Sequence, residues 1–495
     1  MEDTFEESTT GGIQFRDKWQ FELKSDLLPV AKTGESVQSQ EFYIFIPNSL
    51  QINDQTYTKQ QFYIDQTNLI RFKTPHFSME ELMDPDNSIS PFIRSKNMFY
   101  FPKTEENYEI LQNEVKLTGD IFRSSLRDKL AEFSKRLKHI KTHEAWAAFN
   151  EEVSLYLDHL EQFKREFSDL KLDYATVWPE EKVTNLFMYV EEFINLTQSK
   201  GLTQFLFLLR RNQNEELKNL DERITTFLLH EKDTTPPSIQ DKESREEFIL
   251  YQEGLLNKFV IDPLLLNTSR SAVDQRYKNL ITGLPAAIAM LIYMILFTWQ
   301  WHYFIVNSEP FILLTVIIYV MKDRIKEELR LISYQQAARW FSDYTTEIHS
   351  NSIDLGTLRE SFTFIQESKV SPKILETRNQ EFHGVLKRFK RPEQIIYYKK
   401  NVVLTEKLQT LETRFYGLNL IFRLDIHHFL NKAEDAYQQT LTLDPETKMI
   451  RRVQLPRVYH INIIMKTTLG KNGTPRISKY RLIVDKSGIK RVLAL

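Results

Sequence analysis

Two pairs of histidines are the residues whose type and spacing come closest to a chemical motif. His427 and His428 follow Asp425 in DIHH, a grouping of imidazoles and a carboxylate of the kind that binds divalent metals. The surrounding segment reads as a strand, where adjacent side chains point to opposite faces, so the two rings do not chelate together. His139 and His143 stand four apart, the spacing of a two-histidine clamp on a helix. No third ligand accompanies them, and the lysines around them suit a solvated face. The chain has no cysteine, which removes disulfides, thiolate nucleophiles and cysteine-ligated zinc or iron–sulfur centres. Phosphate-binding glycine loops (GxxxxGK[ST], GxGxxG) and the hydrolase motifs HExxH and GxSxG are absent. The sequence therefore assigns no catalytic residue, no cofactor and no metal.

The strongest pattern is apolar. From Ile281 the chain reads ITGLPAAIAMLIYMILFTWQW without a charged residue through Trp301. About 20 such residues cross a bilayer's hydrocarbon core at ~1.5 Å each. Pro285 falls near the start of this run, where proline costs least. After HYFIVNSEP comes a shorter run, FILLTVIIYVM, which ends at Lys322. Trp299, Trp301 and Tyr303 cluster at the turn between the runs, and such amphipathic rings favour the headgroup level. Arg270, Arg276 and Lys278 precede the first run, and Lys322, Arg324, Lys326 and Arg330 follow the second, whereas the turn carries neither Lys nor Arg. Positive flanks stay in the cytoplasm. The expectation is a two-helix transmembrane hairpin over 280–321 with both termini cytoplasmic, an integral membrane protein whose first partner is the lipid bilayer. Glu309 reads as an exposed turn carboxylate. No ionisable residue within the apolar runs could relay protons or ions.

The soluble parts differ in period. Within 1–105, QEFYIFIP, QTYTKQQFYI and NLIRFKT read as strands of an N-terminal β-rich domain. The acidic start, MEDTFEESTTGGIQF, is neither a secretory signal nor a basic transit peptide, which leaves targeting to the internal apolar stretch. Residues 106–230 read as a helical bundle or coiled-coil arm. Phe149, Val153, Tyr156, Leu160, Phe163, Phe167 and Leu170 repeat at alternating spacings of four and three, and aromatic rings at such positions suit packing within one chain. Lys200-Gly201 reads as a helix stop. A proline-containing linker spans 231–242, and Ser244 and Glu247 form a capping box for a juxtamembrane helix over 243–279. A helical stalk is expected over 322–414 and a basic β-containing domain over 415–495, where LNLIFRLDIHHFL, MIRRVQLPRVYHINIIMKTTL, GTPRISKYRLIVD and IKRVLAL alternate in period two. The fold class expected is thus an α+β membrane protein.

Charge is divided along the chain. From Ser371 to Leu495 there are 24 Lys or Arg against 11 Asp or Glu, while the whole chain sums to only −2. The first 279 residues are correspondingly acidic. The basic surface is expected to include Arg451, Arg452, Arg457, Lys479, Arg481, Lys490 and Arg491, facing an anionic lipid, a protein partner or the acidic arm. No nucleic-acid-binding module is recognisable, so nucleic acid is not the expected partner. Three functional readings follow in order: a membrane-anchored scaffold or interaction protein, a membrane-active effector or pore subunit that oligomerises through its hairpin, and an enzyme with a divergent site.

Overall fold

The computed structural model describes residues 12–27, 36–212, 214–233, 242–272, 274–305, 308–340, 342–350, 353–380, 393–405, 417–443, 445, 448–470 and 473–495. Strands from both ends of the chain build one β body. The larger sheet has eight antiparallel strands in the order β14-β13-β12-β3-β8-β7-β6-β5. They are β3 (Ser36–Pro47), β5 (Asn267–Ala272), β6 (Tyr344–Ser350), β7 (Ile353–Ile365), β8 (Glu393–Leu404), β12 (Tyr459–Leu469), β13 (Arg476–Asp485) and β14 (Gly488–Ala494). The smaller sheet runs β1-β2-β9-β4, from β1 (Ile13–Phe15), β2 (Gln20–Leu27), β9 (Leu418–Asp425) and β4 (Gln66–Phe72). A separate ribbon pairs β10 (Tyr437–Leu443) with β11 (Ile450–Pro456).

The two sheets pack face to face. Phe21 and Leu23 of β2, Phe42, Ile44 and Ile46 of β3, Phe422 and Leu424 of β9, and Ile461 and Ile463 of β12 fill the space between them. The other face of β3 presents Tyr43 and Phe45 to a short helix, α11 (Pro372–Asn379), through Ile374. A strand buried on both faces reads as a continuous apolar run, which is what YIFI is. Because β3 lies between β8 and β12, the N-terminal and C-terminal strands are parts of a single sheet.

Short helices α1 (Lys59–Asp65), α2 (Met79–Met83) and α3 (Pro91–Asn97) lead into a bundle of α4 (Glu105–Leu137), α5 (His143–Val177), α6 (Glu181–Arg211), α7 (Lys218–Asp233) and α8 (Lys242–Ile261). The seven seam residues from Phe149 to Leu170 are all buried in this chain's own core, against neighbours such as Phe92, Phe122 and Phe187. α6 runs straight through Gly201. A Cβ there would lie 3.1 Å from the Leu130 side chain, so this glycine lets α6 approach α4 closely and does not end the helix.

Several expectations are corrected. Residues 59–65, read as strand, form α1, with Thr58 accepting the Gln61 amide as N-cap. In the stretch 322–414 the long helix ends at Trp340, and the described residues beyond it supply β6, β7, α11 and β8 to the body. The 243–279 segment contains α8, which starts at Lys242, and also β5. The linker residues 234–241 and the side chains of Ser244 and Glu247 lie outside the described residues.

The two-helix transmembrane hairpin is also corrected. Helices α9 (Asp274–Tyr303) and α10 (Glu309–Trp340) do pack against each other as a hairpin. Yet among the described residues only one helical stretch, Gly283–Tyr303, is long and apolar enough to cross a membrane. The apolar part of α10 ends at Met321, giving it only about 18 Å against the ~30 Å of a hydrocarbon core.

Candidate functional site

The helical hairpin grows out of the edge of the large sheet. β5 leads into α9 and β6 follows α10, and the two strands pair in antiparallel register with Ala272 opposite Tyr344 at the exit. The sheet thus holds both feet of the hairpin side by side.

Charged residues next to the feet tie them into the body. Arg270 of β5 lies 3.2 Å from Glu360 of β7 and stacks over the Tyr63 and Tyr344 rings. Asp343, just before β6, accepts hydrogen bonds from Tyr63 Oη (2.9 Å), Lys59 Nζ (2.6 Å) and the Phe362 amide (2.7 Å). Glu360 is 1 % exposed and also accepts from Tyr398 Oη (2.6 Å), Asn68 Nδ2 (2.6 Å) and Gln66 Nε2 (3.0 Å). Next to it in register is Lys400 of β8, 2 % exposed, which donates to Asn68 Oδ1 at 3.3 Å. Burial lowers the Lys400 ammonium to about 7, against the opposing pull of Glu360. Burial and the neighbouring Glu360 hold the Tyr398 phenol well above its usual range. None of these residues was singled out in the sequence except Arg270. The available signal was a charged residue in phase with inward-facing apolar ones: Leu358, Glu360, Phe362 in β7 and Tyr398, Lys400, Val402 in β8.

Along the hairpin itself only a thin seam is covered. Ala289 and Gln300 of α9 and Phe311 and Ile318 of α10 are buried between the helices. Gln300 donates through Nε2 to the Phe311 carbonyl (2.5 Å) and to Thr315 Oγ1 (2.8 Å), a polar clasp that sets the pairing. Between the level of Lys322 and the tip, most of the surface outside the seam is apolar and open. Leu284, Leu291, Met294 and Ile295 of α9 and Ile312, Leu313, Val316 and Val320 of α10 are all exposed, Leu291 at 60 % and Val316 at 57 %.

The predicted interface residues occupy distinct levels. Trp299, Trp301 and Tyr303 are exposed near the tip, with Trp299 against Tyr303 at 5.3 Å. Lys322 sits beside α9, its ammonium 3.8 Å from the Tyr319 ring and 5.8 Å from that of Tyr293. Arg324 and Lys326 are exposed further along α10. Arg276 and Lys278 belong to α9, but their side chains lie outside the described residues. With Lys322 level with Tyr293, the lower half of the apolar α9 run lies alongside the charged part of α10. The wholly apolar section therefore reaches only from this level to the tip.

The predicted basic surface is dispersed. Arg451 and Arg452 are exposed on β11, and Arg457, just beyond it, pairs with Glu434. Lys479 is buried on β13, Arg481 donates to Asn462 Oδ1 (3.2 Å), Lys490 pairs with Asp485 (3.1 Å), and Arg491 is exposed on β14. Ion pairs join the two ends of the chain, Arg423 to Glu22 and Lys466 to Glu41 among them. Of the histidines, His427 packs edge-on against Trp19 and His428 pairs with Asp65, both on a helical turn where a strand was expected. His139 lies in the α4–α5 connection, so it shares no helix with His143. Among the described residues no three His, Asp or Glu side chains are grouped to hold a metal ion.

Comparison with protein-family models, curated proteins and solved structures gives no match to this chain.

Proposed function

We propose that this protein is a membrane-anchored interaction protein whose α9–α10 hairpin sits in one leaflet of a bilayer and holds the β body and helical bundle at the cytoplasmic face. The observation behind this reading is the exposed apolar surface on all sides of a paired hairpin. A contiguous surface of this kind exceeds what a protein leaves in water unless something covers it. A single protein partner covers one side, whereas lipid covers all of them.

The depth follows from the levels of the polar groups. Trp299, Trp301, Tyr303 and Glu309 at the tip and Lys322 to Lys326 at the other limit both favour headgroups. They are separated by an apolar section of only about 20 Å, taken from the helical rise between Glu309 and Lys322. A hairpin lying obliquely in the interface satisfies both ends and keeps the charges of α10 out of hydrocarbon. Its two feet then emerge on the same side, as the pairing of β5 with β6 requires. The positive residues beside the feet favour the cytoplasmic face.

The test uses the full chain with phosphatidylcholine vesicles. Wild type should float with the vesicles, and Leu291→Asp combined with Val316→Asp should leave the protein in solution. A single cysteine replacing Trp301 should react with an impermeant maleimide from the side of addition. A wild type that does not float overturns membrane attachment, and labelling at 301 only from the far side overturns the one-leaflet seating.

A further inference from the structure

The β10–β11 ribbon raises the same question as the hairpin on a smaller scale. It pairs from Tyr437 opposite Pro456 to Leu443 opposite Ile450, and nearly all its side chains are exposed. An isolated two-stranded ribbon is marginal in water. Here the base is fastened to the body: Arg457 pairs with Glu434, Lys486 with Asp435 at 2.7 Å, and the Glu434 amide donates to Tyr459 Oη at 3.0 Å. The far end is not. Leu441, Leu443, Met449 and Ile450 are each about two-thirds exposed there.

Cations stand among these apolar groups. Strand alternation puts Arg452 on the face that carries Leu441, Leu443 and Ile450, and Arg451 on the face with Val453 and Leu455. Lys448 adjoins Met449. Across residues 437–457 four cations face two carboxylates, Asp444 and Glu446. Apolar groups occur on both faces, so a flat protein surface would cover only one of them. A bilayer interface surrounds an inserted tip, and long basic side chains snorkel from such a tip to the headgroups.

The position in the sheet fits. Following the antiparallel ladders from β12 through β3, β8 and β7 to β6, β12 and β6 run in the same direction. β6 begins just after the helical hairpin and β12 just after the ribbon, so both protrusions leave towards the same end of the strands. We infer that the ribbon tip is a second membrane contact, with Leu441, Leu443, Met449 and Ile450 entering the interface and Arg451 and Arg452 binding anionic phospholipid. The inference rests on the membrane reading of the hairpin for the bilayer that presents those headgroups.

The absence of native cysteine makes the test direct. The full chain carries one environment-sensitive fluorophore, on a cysteine replacing either Met449 or Ile295. At 449 the emission should shift to shorter wavelength with vesicles containing phosphatidylserine, and much less with phosphatidylcholine alone. Arg451→Ala with Arg452→Ala should raise the lipid needed for half the shift roughly thirtyfold, since each cation at an anionic surface contributes about 1 kcal/mol. At 295 the shift should occur with either lipid. No shift at 449 with phosphatidylserine while 295 responds overturns the ribbon contact and leaves the hairpin reading intact. The converse result leaves the ribbon's lipid contact standing and removes the hairpin's. A concentration-dependent shift at 449 without lipid, unchanged by vesicles, marks a protein partner and overturns the lipid assignment.

Discussion

α5 and α9 are both long helices rich in large apolar residues, yet one is buried by its own chain and the other is not. In α5 the apolar residues form one stripe, at spacings of four and three, and charged residues take the opposite side. One neighbouring layer of helices suffices to cover that stripe. In α9 the apolar residues surround the axis, α10 covers a narrow seam, and the rest stays open. The periodicity of apolar residues, more than their number, decides whether a helix finds its cover within the chain or outside it.

The largest effect expected separates the two helices by one substitution in each. Phe163→Asp places an unpaired charge in the bundle core, costing more than about 4 kcal/mol, and should abolish the cooperative urea transition. Ile295→Asp puts the same carboxylate on the open face of α9 and should leave that transition within about 0.5 kcal/mol in lipid-free detergent-dispersed protein. Equal losses in both would mean that the hairpin packs into the body.

Between the helices and the body stands Glu360, and its replacement is expected next in size. Glu360→Leu leaves Arg270 without its partner and the buried Lys400 without a neighbouring carboxylate, and removes the acceptor of Tyr398, Asn68 and Gln66. It should cost about 3–5 kcal/mol in denaturant melts. If hairpin and body are coupled through Arg270, amide exchange in β5 should accelerate more than in β2.

Lys400 should act in the opposite direction and with pH. Its folded ammonium is lowered to about 7, far under its usual value, so between that pH and about 10.4 the unfolded chain holds a proton that the folded one has released. Stability from this residue therefore rises with pH across that window, and below it the full burial penalty applies. Lys400→Met should stabilise by about 1–3 kcal/mol at pH 6, with the gain shrinking towards pH 10. A gain independent of pH would show that Lys400 stays protonated in the folded chain across this range.

The smallest effect is expected within the hairpin seam. Gln300→Leu removes the clasp on Phe311 and Thr315, worth about 0.6–2 kcal/mol between helices in an apolar medium. Faster amide exchange in 309–318 of micelle-bound protein, with the β body unchanged, is the readout.

Some of this was legible from residues alone and some was not. The C-terminal strands declare themselves by period two, and the α5 seam by its heptads. β7 and β8 escaped because the inward position in each alternation is filled by Glu360 or Lys400, which interrupts the apolar pattern. Gly201 was misread as a stop because a glycine that admits a neighbouring helix looks, in sequence, like one that ends its own. The aromatic and cationic limits of the hairpin are visible in the sequence. That Lys322 lies level with Tyr293 follows only once the two helices are paired, and this level is what shortens the apolar section. The shared sheet was hidden for another reason: strand patterns identify strands but not their neighbours.

That sheet also sets a timetable. Phe45 in β3 pairs with Asn462 in β12, more than 400 positions later. At synthesis rates of roughly 5–20 residues per second, β3 waits on the order of 20–80 s after its own translation for that partner. Until β8 is made, Phe42, Tyr43, Ile44, Phe45 and Ile46 lie in a segment with neither edge partner, a sequence type prone to pairing with other chains. The full eight-stranded sheet can close only after the apolar hairpin at 283–321 has left the ribosome, so on the proposed reading the hairpin can meet a bilayer before the body is complete.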